Sequence, residues 1–171
     1  MAQSKNLEKT IAKIESRSRE AVWVSIDNVK PYPNNPRDNE AAVDKVKASI
    51  ERYGFNVPIC VDKNGVIVTG HTRYKAALKI GMQKVLVIYL KDLTKDEIDS
   101  FRLVDNKVSE FASWDCDKLH FELSDLDMKG IDLTEFGFSL NMDDIVEEEE
   151  EEDNHKSHEY TCPFCGETWS S

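Results

Sequence analysis

Residues 57–81, VPICVDKNGVIVTGHTRYKAALKIG, decide how this chain is read. Residues 57–61 and 66–69 are β-branched and apolar, and Asn64-Gly65 between them is a strong short-hairpin signal. Residues 72–80 then have helical composition, and Gly81 supplies a stop. The second strand therefore feeds a helix that opens at Gly70, His71, Thr72 and Arg73. A glycine at such a junction leaves backbone N–H groups pointing outward at the positive end of the helix dipole, an arrangement that suits phosphate. Arg73 adds a guanidinium able to clamp an anion with two hydrogen bonds.

Working outward, residues 21–26 (AVWVSI) predict a strand and residues 30–39 (KPYPNNPRDN), with three prolines and three asparagines, demand a loop. Val43, Val46, Ile50 and Tyr53 recur at helical spacing over residues 40–53, with Gly54 as terminator. Residues 84–90 (KVLVIYL) predict a further, buried strand. Residues 95–112 form the clearest long helix, with Thr94 and Glu97 as a capping box. Residues 1–20 read as an arm or short helix carrying Leu7, Ile11 and Ile14 at helical spacing. The order β, α, β, β, α, β, then helices predicts an α/β (α+β) fold: a small mixed sheet with packed helices. The expected parts are an arm (1–20), a domain (21–112), a helical extension (113–142), a flexible acidic linker (143–154) and a tail (155–171).

Composition narrows the class. The chain has 171 residues, enough for one moderate domain with appendages. No apolar run approaches a membrane span and MAQSKNLEKT has no signal core, so a cytoplasmic protein is expected. The net charge of -11 is concentrated in residues 143–153 (DDIVEEEEEED); removing those nine acids leaves -2. The folded part is thus nearly neutral and open to a nucleotide or nucleic-acid partner. The run itself reads as a solvated linker.

Three segments carry candidate chemistry. Residues 70–73, taken alone, are as compatible with an ordinary helix start and a surface arginine as with a phosphate turn. Asn35, Pro36 and Arg37 lie in the proline-fixed loop, where turn chemistry alone explains Asn and Pro; the functional reading is a second cation held at the mouth of the same pocket. On the long helix, Ile98, Phe101, Val104, Val108 and Ala112 define one apolar arc, and at about 100° per residue Asp105 projects inside it. An inward carboxylate is costly unless paired or bound to a cation. Asp105 is expected either to make a structural ion pair or to hold Mg²⁺ or act catalytically, with Asn106 as a polar helper. His71 is read as a ligand contact or general base beside the phosphates, against the plainer role of capping the helix start.

The set Asn35-Pro36-Arg37, a strand, Gly70-His71-Thr72-Arg73-Tyr74-Lys75, a strand, and Asp105-Asn106-Lys107 resembles the ParB/sulfiredoxin family, over residues 21–112. The resemblance implies a small mixed sheet with packed helices and a nucleotide site for CTP or ATP. Gly70, His71, Thr72 and Arg73 would cradle phosphates, Asn35 and Arg37 would contribute from the second box, and Asp105 and Asn106 would engage Mg²⁺ and assist hydrolysis. Sulfiredoxins carry a cysteine where His71 stands, and Cys60 lies on the preceding strand, so sulfinic acid reduction is not expected. ParB proteins also carry a helix-turn-helix domain, for which residues 113–140 are too short and too acidic. The chain looks closer to short ParB-like domains of phages and mobile elements, often encoded near DNA methyltransferases.

Of the four cysteines, Cys162 and Cys165 form a Cys-Pro-Phe-Cys-Gly knuckle, which argues for metal rather than a disulfide framework. His155 and His158 are the candidate further zinc ligands, although only three residues separate His158 from Cys162. A site shared with another chain competes with that arrangement, as does an unmetallated tail. The expected function is a nucleotide-binding ParB-like protein in DNA-associated work, with Mg²⁺-dependent hydrolysis of the nucleotide left open. The expected partners are nucleotide, DNA, a DNA methyltransferase or other DNA-modifying protein, and a second copy in a homodimer. The competing classes are a non-enzymatic adaptor for such a partner and a nuclease or small-molecule kinase, although no nuclease constellation is visible.

Overall fold

The computed structural model describes residues 2–17, 19–140, 159–161 and 168–170. The elements are α1 (Ala2–Glu15), β1 (Ala21–Ser25), α2 (Glu40–Tyr53), β2 (Ile59–Val61), β3 (Ile67–Thr69), α3 (His71–Ile80), β4 (Lys84–Tyr89), α4 (Lys95–Ser109), α5 (Cys116–Met128), β5 (Glu159–Thr161) and β6 (Thr168–Ser170). The chain divides into two compact units, one ending at Ser113 and one beginning at Trp114.

The first unit is built on a mixed sheet of order β1-β4-β2-β3. β1 runs antiparallel to β4, from Ala21 opposite Ile88 to Ser25 opposite Lys84, while β2 is parallel to β4 and antiparallel to β3. The expected mixed α/β architecture is therefore present. Alternation along the strands gives each face its own core. Ile59, Val61, Ile67, Val85 and Val87 are buried with Ala77 of α3, and Tyr74 and Ile50 pack against them. Val68, Leu90 and Ile98 form the core of the other face, flanked by Cys60, Ile88 and Phe101. Helices α2 and α3 pack on one another and are pinned by Lys75–Glu40 and Lys79–Asp44 ion pairs.

The hairpin differs in detail from a two-residue Asn-Gly turn. A type I′ turn needs positive φ at both central residues. Here Gly65 has φ +80°, and among the described residues no non-glycine residue is in that region. Asp62 organises the loop instead: its Oδ1 accepts from the N–H groups of Asn64 and Val66, both at 2.8 Å. A Cβ on Gly65 would lie 2.3 Å from the Asn28 carbonyl oxygen, so this position also admits the close approach of another backbone segment. That segment continues to Lys30, whose N–H donates to Gly65 O and whose carbonyl accepts from Ile67 N, each at 2.8 Å. The proline-rich loop is thereby moored beside β3, next to the start of α3.

The long helix has the expected capping box: Thr94 Oγ1 accepts from Glu97 N, and the Glu97 carboxylate accepts from Thr94 N at 2.8 Å. It ends at Ser109 rather than at residue 112. Its burial corrects the expectation for Asp105. Val104 and Val108 are 54% and 60% exposed, and Asp105 is exposed as well. The buried side of α4 carries Ile98 and Arg102, with Phe101 against the core. Ile98, Phe101, Val104 and Val108 thus share a side of the helix whose C-terminal half lies uncovered, Ala112 falls beyond the helix end, and Asp105 escapes the burial cost that its position in the arc implied.

In the second unit, Asp115 caps α5 by accepting from Lys118 N at 3.1 Å, and a 3₁₀ turn follows at Thr134–Phe136. β5 and β6 pair antiparallel, Tyr160 opposite Trp169. His155, His158, Cys162 and Cys165 lie outside the described residues. Among the described residues no helix is long and apolar enough to cross a membrane.

Candidate nucleotide-binding site

Gly70 caps α3 with φ +98° and ψ 25°, offering no side chain to the helix amides. The first helical turn closes with Tyr74 N–H on Gly70 O at 3.1 Å. A Cβ on Gly70 would stand 3.1 Å from Arg73 Nη1 and 3.3 Å from Ile59 Cα. The backbone angle favours glycine, and a side chain would in addition press on the guanidinium that folds back over the turn and on the β2 backbone. Arg73 is half-buried, and its Nη1 donates to the Pro58 carbonyl at 3.4 Å. Burial works against its charge, while the proximity of Cys60 and Asp105 supports it. A partly desolvated guanidinium with one weak neutral partner is well suited to a bidentate anion.

His71 is 9% exposed, and its Nε2 accepts the Tyr32 N–H at 3.3 Å. Burial, then the charges of Arg102 and Lys75, hold its pKa below the usual imidazole value. In the neutral ring the other nitrogen carries the proton. Neither nitrogen then has a lone pair free to take one from a ligand.

The loop and α4 meet through Arg37 and Asn106. Arg37 Nη1 donates to Asn106 Oδ1 at 3.3 Å, Asn106 Nδ2 donates to Arg102 O at 2.9 Å, and Asn35 Nδ2 donates to Arg37 O at 2.9 Å. The Asn106 amide thus holds Arg37 with its oxygen and its own helix with its nitrogen.

Asn35, Arg37, Gly70, His71, Thr72, Arg73, Asp105 and Asn106 all line one open cleft of about 690 Å³. That volume is in the range of small-molecule sites. Three segments separated by more than thirty residues each converge there: the proline loop, the start of α3 and the flank of α4. Asp38 and Asp105 are the carboxylates on its lining. No group of three or more potential metal-ligating side chains occurs among the described residues. A carboxylate with phosphate oxygens and water is nevertheless the usual environment of Mg²⁺.

Two residues outside the sequence reading belong to the site's framework. Arg102 is 5% exposed, pairs with Asp99 at 2.8 Å and lies 3.7 Å over the Tyr32 ring. The sequence signal for Arg102 is its helical phase, since it falls about 40° from Ile98 on the buried side.

Comparison with known proteins gives the family and the fold. The chain is 31% identical over 83 residues to the ParB-like nuclease domain-containing protein YnaK of Escherichia coli, covering 48% of this chain and 95% of that protein. It is 33% identical over 97 residues to the chromosome-partitioning protein Spo0J of Thermus thermophilus, covering 54% of this chain but only 36% of that one. Among solved structures it resembles the C-terminally truncated partitioning protein ParB of Caulobacter crescentus complexed with CTP-gamma-S, with a TM-score of 0.57, 20% identity and 68% of each chain covered. Residues 10–107 match the model of the ParB N-terminal domain. The chain belongs to the ParB N-terminal domain family.

Proposed function

We propose that the cleft binds a nucleoside triphosphate, with CTP as the first candidate and ATP as the second, and that the protein acts in a DNA-associated process. The observation that carries this reading is the convergence of Arg37, Arg73 and the uncapped start of α3 on one cleft. Two guanidiniums and a helix N-terminus are chemistry for a polyphosphate. The Caulobacter relative of like fold is complexed with CTP-gamma-S, and the Thermus relative is a chromosome-partitioning protein, which supports the nucleotide and the DNA-linked setting.

In this reading the helix amides and Arg73 hold the terminal phosphates, and Thr72 adds a hydroxyl at the same turn. Arg37 closes from the loop, and Asn106 keeps it aimed. Asp105, exposed on the cleft side of α4, would hold Mg²⁺, which when bound neutralises charge between phosphates. Asn106 is occupied by Arg37 and serves that residue rather than the ion. His71 positions the loop through Tyr32 and does not act as the base. Binding is therefore the activity the geometry supports best. Zinc at Cys162 and Cys165, with His155 and His158, stands on the knuckle motif alone.

Isothermal titration of the full chain with CTP and ATP, in Mg²⁺ and in EDTA, tests the reading. One of the two nucleotides is expected to bind, and Arg73→Ala is expected to abolish binding while leaving the fold intact. Absence of binding by the intact chain to both would overturn it.

A further inference from the structure

Arg102 is a buried cation on the core side of α4, and the nucleotide reading gives it no ligand. Burying a guanidinium is expensive unless its partners compensate. Here the compensation is incomplete: Asp99 pairs with one nitrogen, and Nε has no hydrogen-bond partner. A leucine or methionine would cover the Tyr32 ring at lower cost. What the guanidinium adds is a planar charged surface stacked on that ring at 3.7 Å.

The position of Tyr32 explains why such a surface matters. Pro31 and Pro33 flank it and have no N–H, so the Tyr32 amide is the sole backbone donor in this tripeptide. That donor goes to His71 Nε2. The same short loop is moored to β3 at Lys30 and carries Arg37 five residues beyond Tyr32. Pro36 restricts the backbone between them. At the other end of the segment the backbone carbonyl of Arg102 accepts from Asn106, which in turn holds Arg37. Arg102 therefore touches one end of the segment with its side chain and is linked to the other end through its backbone carbonyl and Asn106.

We propose that Arg102 is a positioning residue for the cleft: stacked on Tyr32, it holds the loop against His71 and so fixes the start of α3 and the Arg37 arm as one unit. The proposal rests on the reading of the cleft as a nucleotide site only for its effect on affinity; the coupling itself exists without ligand. It also gives His71 a role. Arg102 on α4 and Lys75 on α3 are the cations that bear on the ring, and both favour the neutral form that accepts the Tyr32 N–H. Rigid delivery of a binding group lowers the ordering cost of binding, which is where a remote positioning residue exerts its effect.

The test compares Arg102→Met, Arg102→Lys, Tyr32→Leu and Tyr32→Phe in the full chain. Arg102→Met and Tyr32→Leu are each expected to weaken CTP binding roughly tenfold. The double variant is expected to be no weaker than either single one, because both break the same contact. Arg102→Lys keeps charge without a planar face and is expected to fall between wild type and Met, while Tyr32→Phe binds as wild type. Without nucleotide, NMR titration in Arg102→Met should show the His71 pKa moving up towards its ordinary value and faster exchange of the Tyr32 amide. A folded Arg102→Met chain with wild-type His71 titration and Tyr32 exchange overturns the proposal. Should Arg102→Met fail to fold, the same ligand-free signals in Arg102→Lys and Tyr32→Leu decide it. A wild-type chain that binds neither CTP nor ATP removes the nucleotide reading and leaves the ligand-free signals to decide the coupling; if ATP alone binds, the affinities are read with ATP.

Discussion

Helices α3 and α4 both serve the cleft, but α3 meets it with its end and α4 with its flank. The end of α3 presents backbone amides, and Gly70 sets their direction through a backbone angle that side chains rarely adopt. The flank of α4 presents Asp105 and Asn106, whose usefulness depends on what holds them and what they hold. An anion site made of backbone resists most substitutions and fails at the glycine. A site made of side chains fails piecemeal, one contact at a time.

The predictions probe that contrast from the largest effect downward. Gly70→Val places a branched side chain at φ +98° against Arg73 and Ile59. It is expected to cost about 1–3 kcal/mol of stability and to abolish nucleotide binding, read by thermal melting and calorimetry. A variant that melts and binds as wild type would show that the backbone of the turn is not the anion site. On the flank, Asn106→Ala removes the acceptor for Arg37 and is expected to weaken binding roughly tenfold without moving the melting temperature by more than a few degrees. Asp105→Asn is expected to weaken binding in Mg²⁺ and to have little effect in EDTA, because only the ion needs the carboxylate. Equal loss in both conditions would assign Asp105 to supporting Arg73 instead.

The smallest effect is on pH dependence. The folded pKa of His71 lies below the unfolded value of 6.5, first through burial and then through Arg102 and Lys75. The unfolded chain therefore binds more protons, and this contribution to stability is complete above pH 6.5. It declines as pH falls below 6.5 towards the folded pKa, where Nε2 takes up a proton and can no longer accept the Tyr32 N–H. Melting curves across that interval should show the decline in the wild type, and a His71→Gln chain should lose this component of it.

The same contrast explains what could be read in advance. The hairpin, the Gly70 junction, the α2 and α3 stops and the Thr94–Glu97 box are local devices, and each depends on residues within a few positions of one another. The loop that carries Asn35 and Arg37 is also legible, because its prolines fix it. Asp105 was placed on the correct helix with the wrong environment. Periodicity identifies residues that share a side, and it is silent about how far that side is covered; on α4 the cover ends near Phe101. Arg102 was missed for a related reason. An arginine in a helix reads as solvated, and its stacking partner Tyr32 is seventy residues away. The tie between His71 and Tyr32 is equally non-local, so the imidazole read as a ligand group while its Nε2 is used inside the fold.

The central claim is that the cleft recognises a polyphosphate first and the remainder of the nucleotide second. Calorimetric titration of the full chain with CTP and with CMP, in Mg²⁺, addresses it most directly. The account predicts saturable binding of CTP and affinity at least roughly tenfold lower for CMP, since the helix amides, Arg73 and Arg37 act on the phosphates. Equal affinities for the two would contradict it, as would the absence of binding by both CTP and ATP.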